Sequence, residues 1–329
     1  MSIRGRTALF VLGLVPVLAQ GAVVGEVISV NDRKTAQQAI MSAANGSQFA
    51  EVTCGDSLTH SGSPRYFLGM RAVPDEYLPD GYLRSEMVAA DEDCAASYVI
   101  SDEPGMRFST GRWSPDGRTM AVYATRWDLS TGGFVASGIY LADVVFLNSG
   151  SSRPVGIANL RLVIEADGET LFSWSGDGSR IAYRGPAPNG QGGTQADILI
   201  YNRLTGETAN VTNTPTVHED APAFSPVDDR IAYQVQVAIK GTYRFDIFTI
   251  PAAGGVPKQI TYKGTTGSPQ NYFPCFSPDG QYLAYGSGSL SWPLVDFDVY
   301  KIRADGTGKA VNLTARRAGD FLGPVEWRR

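Results

Sequence analysis

Histidine is nearly absent from this chain: His60 and His218 are the only two among 329 residues. No His-x-x-x-His or Cys-x-x-Cys pair occurs, so a zinc centre of the usual ligand spacing is not expected. No Gly-x-Ser-x-Gly elbow occurs either, which argues against a Ser-His-Asp hydrolase site. Gly192 and Gly193 sit in a glycine-rich hairpin without the Lys-Ser/Thr ending that a phosphate loop needs. Positive charge is also scarce: the net charge is −5 and there is no run of five Lys or Arg. Nucleic-acid partners are excluded on that ground, because binding a phosphate backbone needs clustered cations to displace counterions. The longest apolar run, Ala8–Leu18, covers 11 residues. A membrane-spanning helix needs about 20, so no transmembrane segment is expected.

That short apolar run has a different reading. Arg4 and Arg6 precede it, and Ala19-Gln20-Gly21 places small residues before Ala22. A cationic start, an apolar middle and a small-residue end predict a Sec-type signal peptide over residues 1–21. Gly5 separates the two arginines, so the twin-arginine pattern is missing, and no Cys follows the cut to carry a lipid. The expected location is the periplasm or the exterior. There an oxidising environment favours a Cys54–Cys94 disulfide, and Cys275, between Pro274 and Phe276, reads as a small buried apolar residue.

What the chain does have is repetition. Trp113-Ser114-Pro115-Asp116-Gly117, Trp174-Ser175-Gly176-Asp177-Gly178, Phe224-Ser225-Pro226 and Phe276-Ser277-Pro278-Asp279-Gly280 each lead into an apolar strand. Their opening aromatics lie 61, 50 and 52 residues apart, a period that marks a repeat architecture. Pro and Gly in these turns supply the preset and the positive φ of a tight turn. A third strand follows in each copy (Ile139–Val145, Asp197–Tyr201, Asp246–Ile250, Asp298–Ile302), then a fourth ending near Thr212, Thr261 or Thr314. Four antiparallel strands repeated around an axis predict an all-β fold, a β-propeller of four-stranded blades. The identical repeat position of the five aromatics assigns them to the core, and Asn210-Val211-Thr212 and Asn312-Leu313-Thr314 read as repeat grammar instead of glycosylation sites.

Trp327 lies 51 residues after Phe276 and opens a strand with nothing behind it. The C-terminal strand is therefore expected to begin a blade that N-terminal strands complete, removing the open edge. The length favours six blades over five, with Ala50–Cys54 as a sixth first strand. Before the repeats, Val23–Val30 suits a strand. Asp32–Ala44 carries Ala36, Ile40, Ala43 and Ala44 on one face, which predicts one short N-terminal helix. The organisation expected is a signal over 1–21, an N-terminal segment over 22–106 (strand, helix, degenerate blade or small lead-in domain) and propeller repeats over 107–329.

The Phe-Ser-Pro-Asp-Gly turn, the Ile/Leu-Ala-Tyr strand, the Asp-led third strand and the closing Thr together resemble the repeat of the TolB-like β-propellers. Val211–Pro215 followed by Asp220–Pro226 matches the family's blade junction best. The resemblance implies a periplasmic, six-bladed, protein-binding propeller. Two departures stand out: the third copy has Val227-Asp228-Asp229 in place of Asp-Gly, and the α/β domain that precedes the family namesake's propeller does not map onto residues 22–106.

Function is expected where inter-blade loops converge at one mouth of the central channel. These loops carry Asp102 and Glu103, Asp167 and Glu169, His218, Glu219 and Asp220, Asn271 and Tyr272, and Asp320 and Phe321. An acidic rim dotted with aromatics suits a basic protein or peptide of the cell envelope. It also suits a cation such as calcium, although no cofactor is called for. The expectation is a monomeric, non-catalytic binding module. A polysaccharide lyase or hydrolase, or a passive carbohydrate-binding propeller, is the alternative.

Overall fold

The computed structural model describes residues 27–32, 37–42, 50–52, 56–60, 66–91, 96–149, 151–168, 170–188, 193–239, 242–261, 269–289, 296–315 and 321–328. The expected signal segment 1–21, Cys54, Cys94, Glu169 and Asp320 lie outside them. The described residues form strands and turns only. After β1 (Val27–Asp32), β2 (Gln37–Ser42) and β3 (Ala50–Val52) come β4 (Asp56–His60), β5 (Tyr66–Tyr77), β6 (Leu83–Asp91) and β7 (Ser97–Ser101). The next sheet is β8 (Met106–Trp113), β9 (Thr119–Asp128), β10 (Gly133–Phe146) and β11 (Pro154–Glu165). It is followed by β12 (Phe172–Trp174), β13 (Arg180–Pro188), β14 (Thr194–Asn202) and β15 (Thr208–Asn210). Then come β16 (Glu219–Phe224), β17 (Arg230–Ile239), β18 (Thr242–Pro251) and β19 (Lys258–Gln259), and β20 (Gln270–Phe276), β21 (Tyr282–Ser289), β22 (Asp296–Arg303) and β23 (Val311–Asn312). The last strand is β24 (Phe321–Arg328).

Five sheets hold consecutive strands, and the sixth has the order β24-β1-β2-β3. The C-terminal strand is thus the first strand of a sheet that the N-terminus completes, with Ile28 opposite Trp327. This closure also explains two departures from expectation. Residues 37–42 form no helix: β2 pairs along its whole length with β1, from Val27–Ser42 to Asp32–Gln37. Pairing satisfies backbone donors and acceptors and covers a sheet edge, and that outweighs the helical propensity of Ala and Gln. Ala50–Val52 is the outermost strand of this same sheet, and the first strand of the following one is Asp56–His60.

The core lies between successive sheets. Leu68, Met87, Phe108 and Met120 pack one junction, and Tyr123, Ile139, Phe172 and Trp174 the next. Ile198, Phe224 and Tyr233 pack a third, and Ile247, Phe276 and Tyr285 a fourth. All five repeat aromatics are buried. In the turns behind them, Ser114 Oγ donates to Asp116 Oδ1 at 2.6 Å and accepts from Thr119 N at 3.0 Å. Ser175 and Ser277 make the same pair of bonds. The final glycine of each turn, Gly117, Gly178 and Gly280, has a φ of +67°, +69° and +68°, which accounts for the repeated Asp-Gly.

Departures from the repeat are contacts between neighbours. Gly176 replaces the turn proline because Pro226 of the next sheet approaches: a Cβ there would stand 2.2 Å from the Pro226 carbonyl oxygen. In the irregular third copy, Asp229 takes an ion pair from Arg180 of the preceding sheet, and Arg230 Nη2 donates to the Gly280 carbonyl of the following one at 2.9 Å.

A second repeated device fixes the outer strands. Thr314 Oγ1 donates to Asp298 Oδ1 at 2.6 Å and accepts from Val299 N at 2.9 Å, while Asn312 Nδ2 donates to Asp298 Oδ2 at 2.7 Å. Asn210 likewise donates to Asp197 Oδ2 at 2.7 Å. The two Asn-x-Thr triplets are therefore engaged in holding the third strand to the fourth. Cys275 is partly exposed on β20, not the buried residue expected.

Candidate functional site

First strands begin, second strands end and third strands begin at one end of the ring. The described loop residues expected to bind lie there, but they are not one site. Asp102, Glu103 and Asp167 are exposed. Asp102 pairs with Arg84, which also donates from Nε to Glu76 Oε2 at 2.7 Å. Phe321 opens the closing strand β24.

His218, Glu219 and Asp220 lie at the start of β16 and are drawn inward. Burial together with Arg184 depresses the pKa of His218, against the pull of Asp220. Its ring meets Phe245 edge-on at 6.5 Å. Asp220 accepts from Ala221 N at 2.7 Å, and burial raises its pKa against Arg184 and His218. No serine or cysteine nucleophile joins this group among the contacts described.

Glu219 is the most perturbed carboxyl at this end. It is 1% exposed. Its Oε1 accepts from Thr214 Oγ1 at 3.0 Å, and Oε2 has no partner among the described residues. Burial pushes its pKa up to about 7, with the Asp197 carboxylate adding to the rise and the Thr212 and Thr214 hydroxyls opposing it.

The repeat explains this position. Glu219 precedes Phe224 by five residues, as Asn271 precedes Phe276. Asn271 Nδ2 donates to Asp246 Oδ1 at 3.0 Å and to Thr261 Oγ1 at 3.2 Å. Asp246, 0% exposed, also takes Thr261, Gln259 and Arg244, and its pKa is raised by burial against those partners. Where an amide serves the aspartate in one junction, a second carboxyl stands in the preceding one. Tyr272 is buried between Phe245 at 5.1 Å and Phe297 at 5.6 Å. Phe273 follows at φ +52°, matching Ala221 at +50°, where both first strands lose register with the second. Asn271 and Tyr272 therefore support the junction from inside and are not an exposed rim.

An open feature at this end lies elsewhere. A cavity of about 340 Å³ is lined by Tyr82, Arg107, Ser109, Tyr123, Thr125, Ser137 and Gly168. Arg107 donates from Nη1 to Asp80 Oδ2 at 2.8 Å. Apart from Gly168, which lies between Asp167 and Glu169, these residues are absent from the loops singled out in the sequence. Arg107 and Ser109 lie on the first strand β8, Tyr123 and Thr125 on β9, Ser137 on β10, and Tyr82 on the β5–β6 hairpin. A longer second-to-third-strand hairpin in residues 66–91 and 119–146 was the readable signal. Among the described residues, no three His, Cys, Asp or Glu side chains converge as metal ligands.

No protein-family model matches the chain. A solved protein assigned as TolB from Agrobacterium tumefaciens superposes with a TM-score of 0.58 at 18% identity, covering 92% of each chain. TolB from Acinetobacter baumannii superposes at 0.63 and 16% identity, over 92% of this chain and 66% of that one. The β-propeller domain of the Trilobed protease from Pyrococcus furiosus gives 0.54 at 12% identity, over 88% and 80%. Among curated proteins, dipeptidyl-peptidase 5 of Porphyromonas gingivalis is 38% identical over 65 residues, 19% of this chain and only 10% of that protein's length. At these identities the structural likeness establishes a TolB-like propeller fold.

Proposed function

We propose that this chain is an exported, non-catalytic propeller that binds a protein or peptide segment at the end of the ring where the inter-blade loops meet. The observation that carries the reading is the 340 Å³ cavity at that end, open beside the exposed Asp102, Glu103 and Asp167. Binding sites on rigid scaffolds favour such loop-framed concavities. The likeness to TolB structures supports a protein partner by analogy of fold, and the sequence at 1–21 supports export. The partner belongs to the cell envelope on this reading, and the chain works as a monomer without a cofactor.

Site-specific photocrosslinking in cells tests it. Crosslinkers at Asp102, Glu103 and Asp167 should capture the same protein partner. Crosslinkers at Asp116, Asp177 and Asp279, at the opposite end, should not. Equal capture from both ends, or release of product from a polysaccharide by the purified protein, would overturn the proposal.

A further inference from the structure

Beside the cavity, two hairpins form an exposed apolar lip. The β5–β6 tip presents Tyr77 and Tyr82, 67% and 66% exposed, and the β9–β10 tip presents Leu129, Phe134 and Val135 at 56%, 63% and 51%. Isolated exposed apolar residues need no explanation, but a connected cluster does. Arg107 ties these two tips together: its guanidinium lies 4.7 Å from the Tyr82 ring and 5.4 Å from the Trp127 ring while pairing with Asp80. Trp127 in turn meets Phe134 edge-on at 6.4 Å. From beneath, Gly105, at φ +76°, accepts from Trp127 N at 2.8 Å; a Cβ there would stand 2.6 Å from the Trp127 carbonyl oxygen. The lip is thus held in shape before anything binds, which lowers the ordering cost of association.

Its electrostatics select the occupant. Arg84 and Arg107 are already engaged by Glu76, Asp102 and Asp80. Arg126 alternates to the other face of β9 from Trp127. Glu103 and Asp167 are exposed and have no cationic partner among the described residues. An apolar, aromatic lip bordered by carboxylates complements an apolar side chain flanked by cations.

The geometry points to this lip as the docking surface for an extended protein segment that carries an aromatic or aliphatic residue between Lys or Arg residues. The inference rests on the reading of this end as the binding end and narrows it to two hairpins and one partner chemistry.

Two synthetic heptapeptides test it, one alternating Lys with Leu and Phe and the other with Glu in place of Lys, together with maltoheptaose as a glycan probe. Titration calorimetry against the full chain should show binding of the Lys peptide alone. Leu129→Ser and Phe134→Ser, both at exposed positions and checked by thermal melting, should each weaken it roughly tenfold. Glu103→Gln with Asp167→Asn should weaken it several-fold and flatten its salt dependence. His218→Ala should leave it unchanged. No binding of the Lys peptide, equal binding of the Glu peptide, preference for the glycan, or indifference to both lip variants would overturn the inference. Loss only in His218→Ala would overturn the lip while leaving the broader binding-end reading in place, and the crosslinking pattern tests that reading separately.

Discussion

Replacing Glu219 with Gln should make this protein more stable at alkaline pH and leave it nearly unchanged at acidic pH. Glu219 is 1% exposed, and burial beside Asp197 raises its pKa from 4.5 to about 7. In the unfolded chain the carboxyl returns to its ordinary value. The folded state therefore holds a proton that the unfolded state releases, and stability falls as pH rises between about 4.5 and 7. Each pKa unit is worth ~1.4 kcal/mol, so the ionised side chain costs the fold about 3 kcal/mol above pH 7. Below the unfolded pKa both states are protonated and the cost vanishes. The amide of Glu219→Gln carries no charge at any pH and can donate as Asn271 does to Asp246. Guanidinium unfolding followed by tryptophan fluorescence, at pH 5 and pH 8, reads the difference between parent and variant, in which the other titrating groups largely cancel. The variant should gain about 3 kcal/mol at pH 8 and less than about 1 kcal/mol at pH 5. An equal gap at the two pH values, or a variant destabilised at pH 8, would refute the reasoning.

Other substitutions probe the repeat. Restoring the repeat's proline with Gly176→Pro should destabilise by about 1–3 kcal/mol in thermal melts, because the new side chain meets the Pro226 carbonyl. Thr261→Val keeps the shape but removes the hydroxyl that bridges Ile247 N and Asp246; a loss of about 2 kcal/mol is expected in chemical unfolding. Trp327→Ala empties a buried site on the closing strand, whose ring packs 6.4 Å from that of Tyr282. It should cost about 3–5 kcal/mol and raise the concentration dependence of light scattering as the sheet edge loosens.

Much of the fold was legible because the propeller repeats its chemistry. The Ser-Asp bonds and positive-φ glycines are local to each turn, so Ser, Asp and Gly recur together in three of the four turns. The closing strand was legible for the same reason: Trp327 occupies the repeat position with no partner strand after it. The misread element, Asp32–Ala44, contains β2, whose partners β1 and β3 adjoin it in the chain, but the sheet they form is anchored through β1 on the C-terminal strand β24. Nothing nearby records that Arg328 will face Val27.

The candidate site was less legible. Charge alone did not separate Asp102 and Asp167, which remain in solvent, from Glu219 and Asn271, which turn inward onto aspartates of the preceding sheet. Aligning the copies would have paired Glu219 with Asn271. It would not have shown that the carboxyl is buried beside Asp197. The sequence by itself determined the repeat and its turns, because each depends on residues a few positions apart, and the period alone marked Trp327 as a further first strand. Only the tertiary structure decided which polar residues are supports and which are surface, and that Arg107 joins two hairpins into a lip. Those outcomes depend on contacts between neighbouring sheets, whose partners lie tens of residues away.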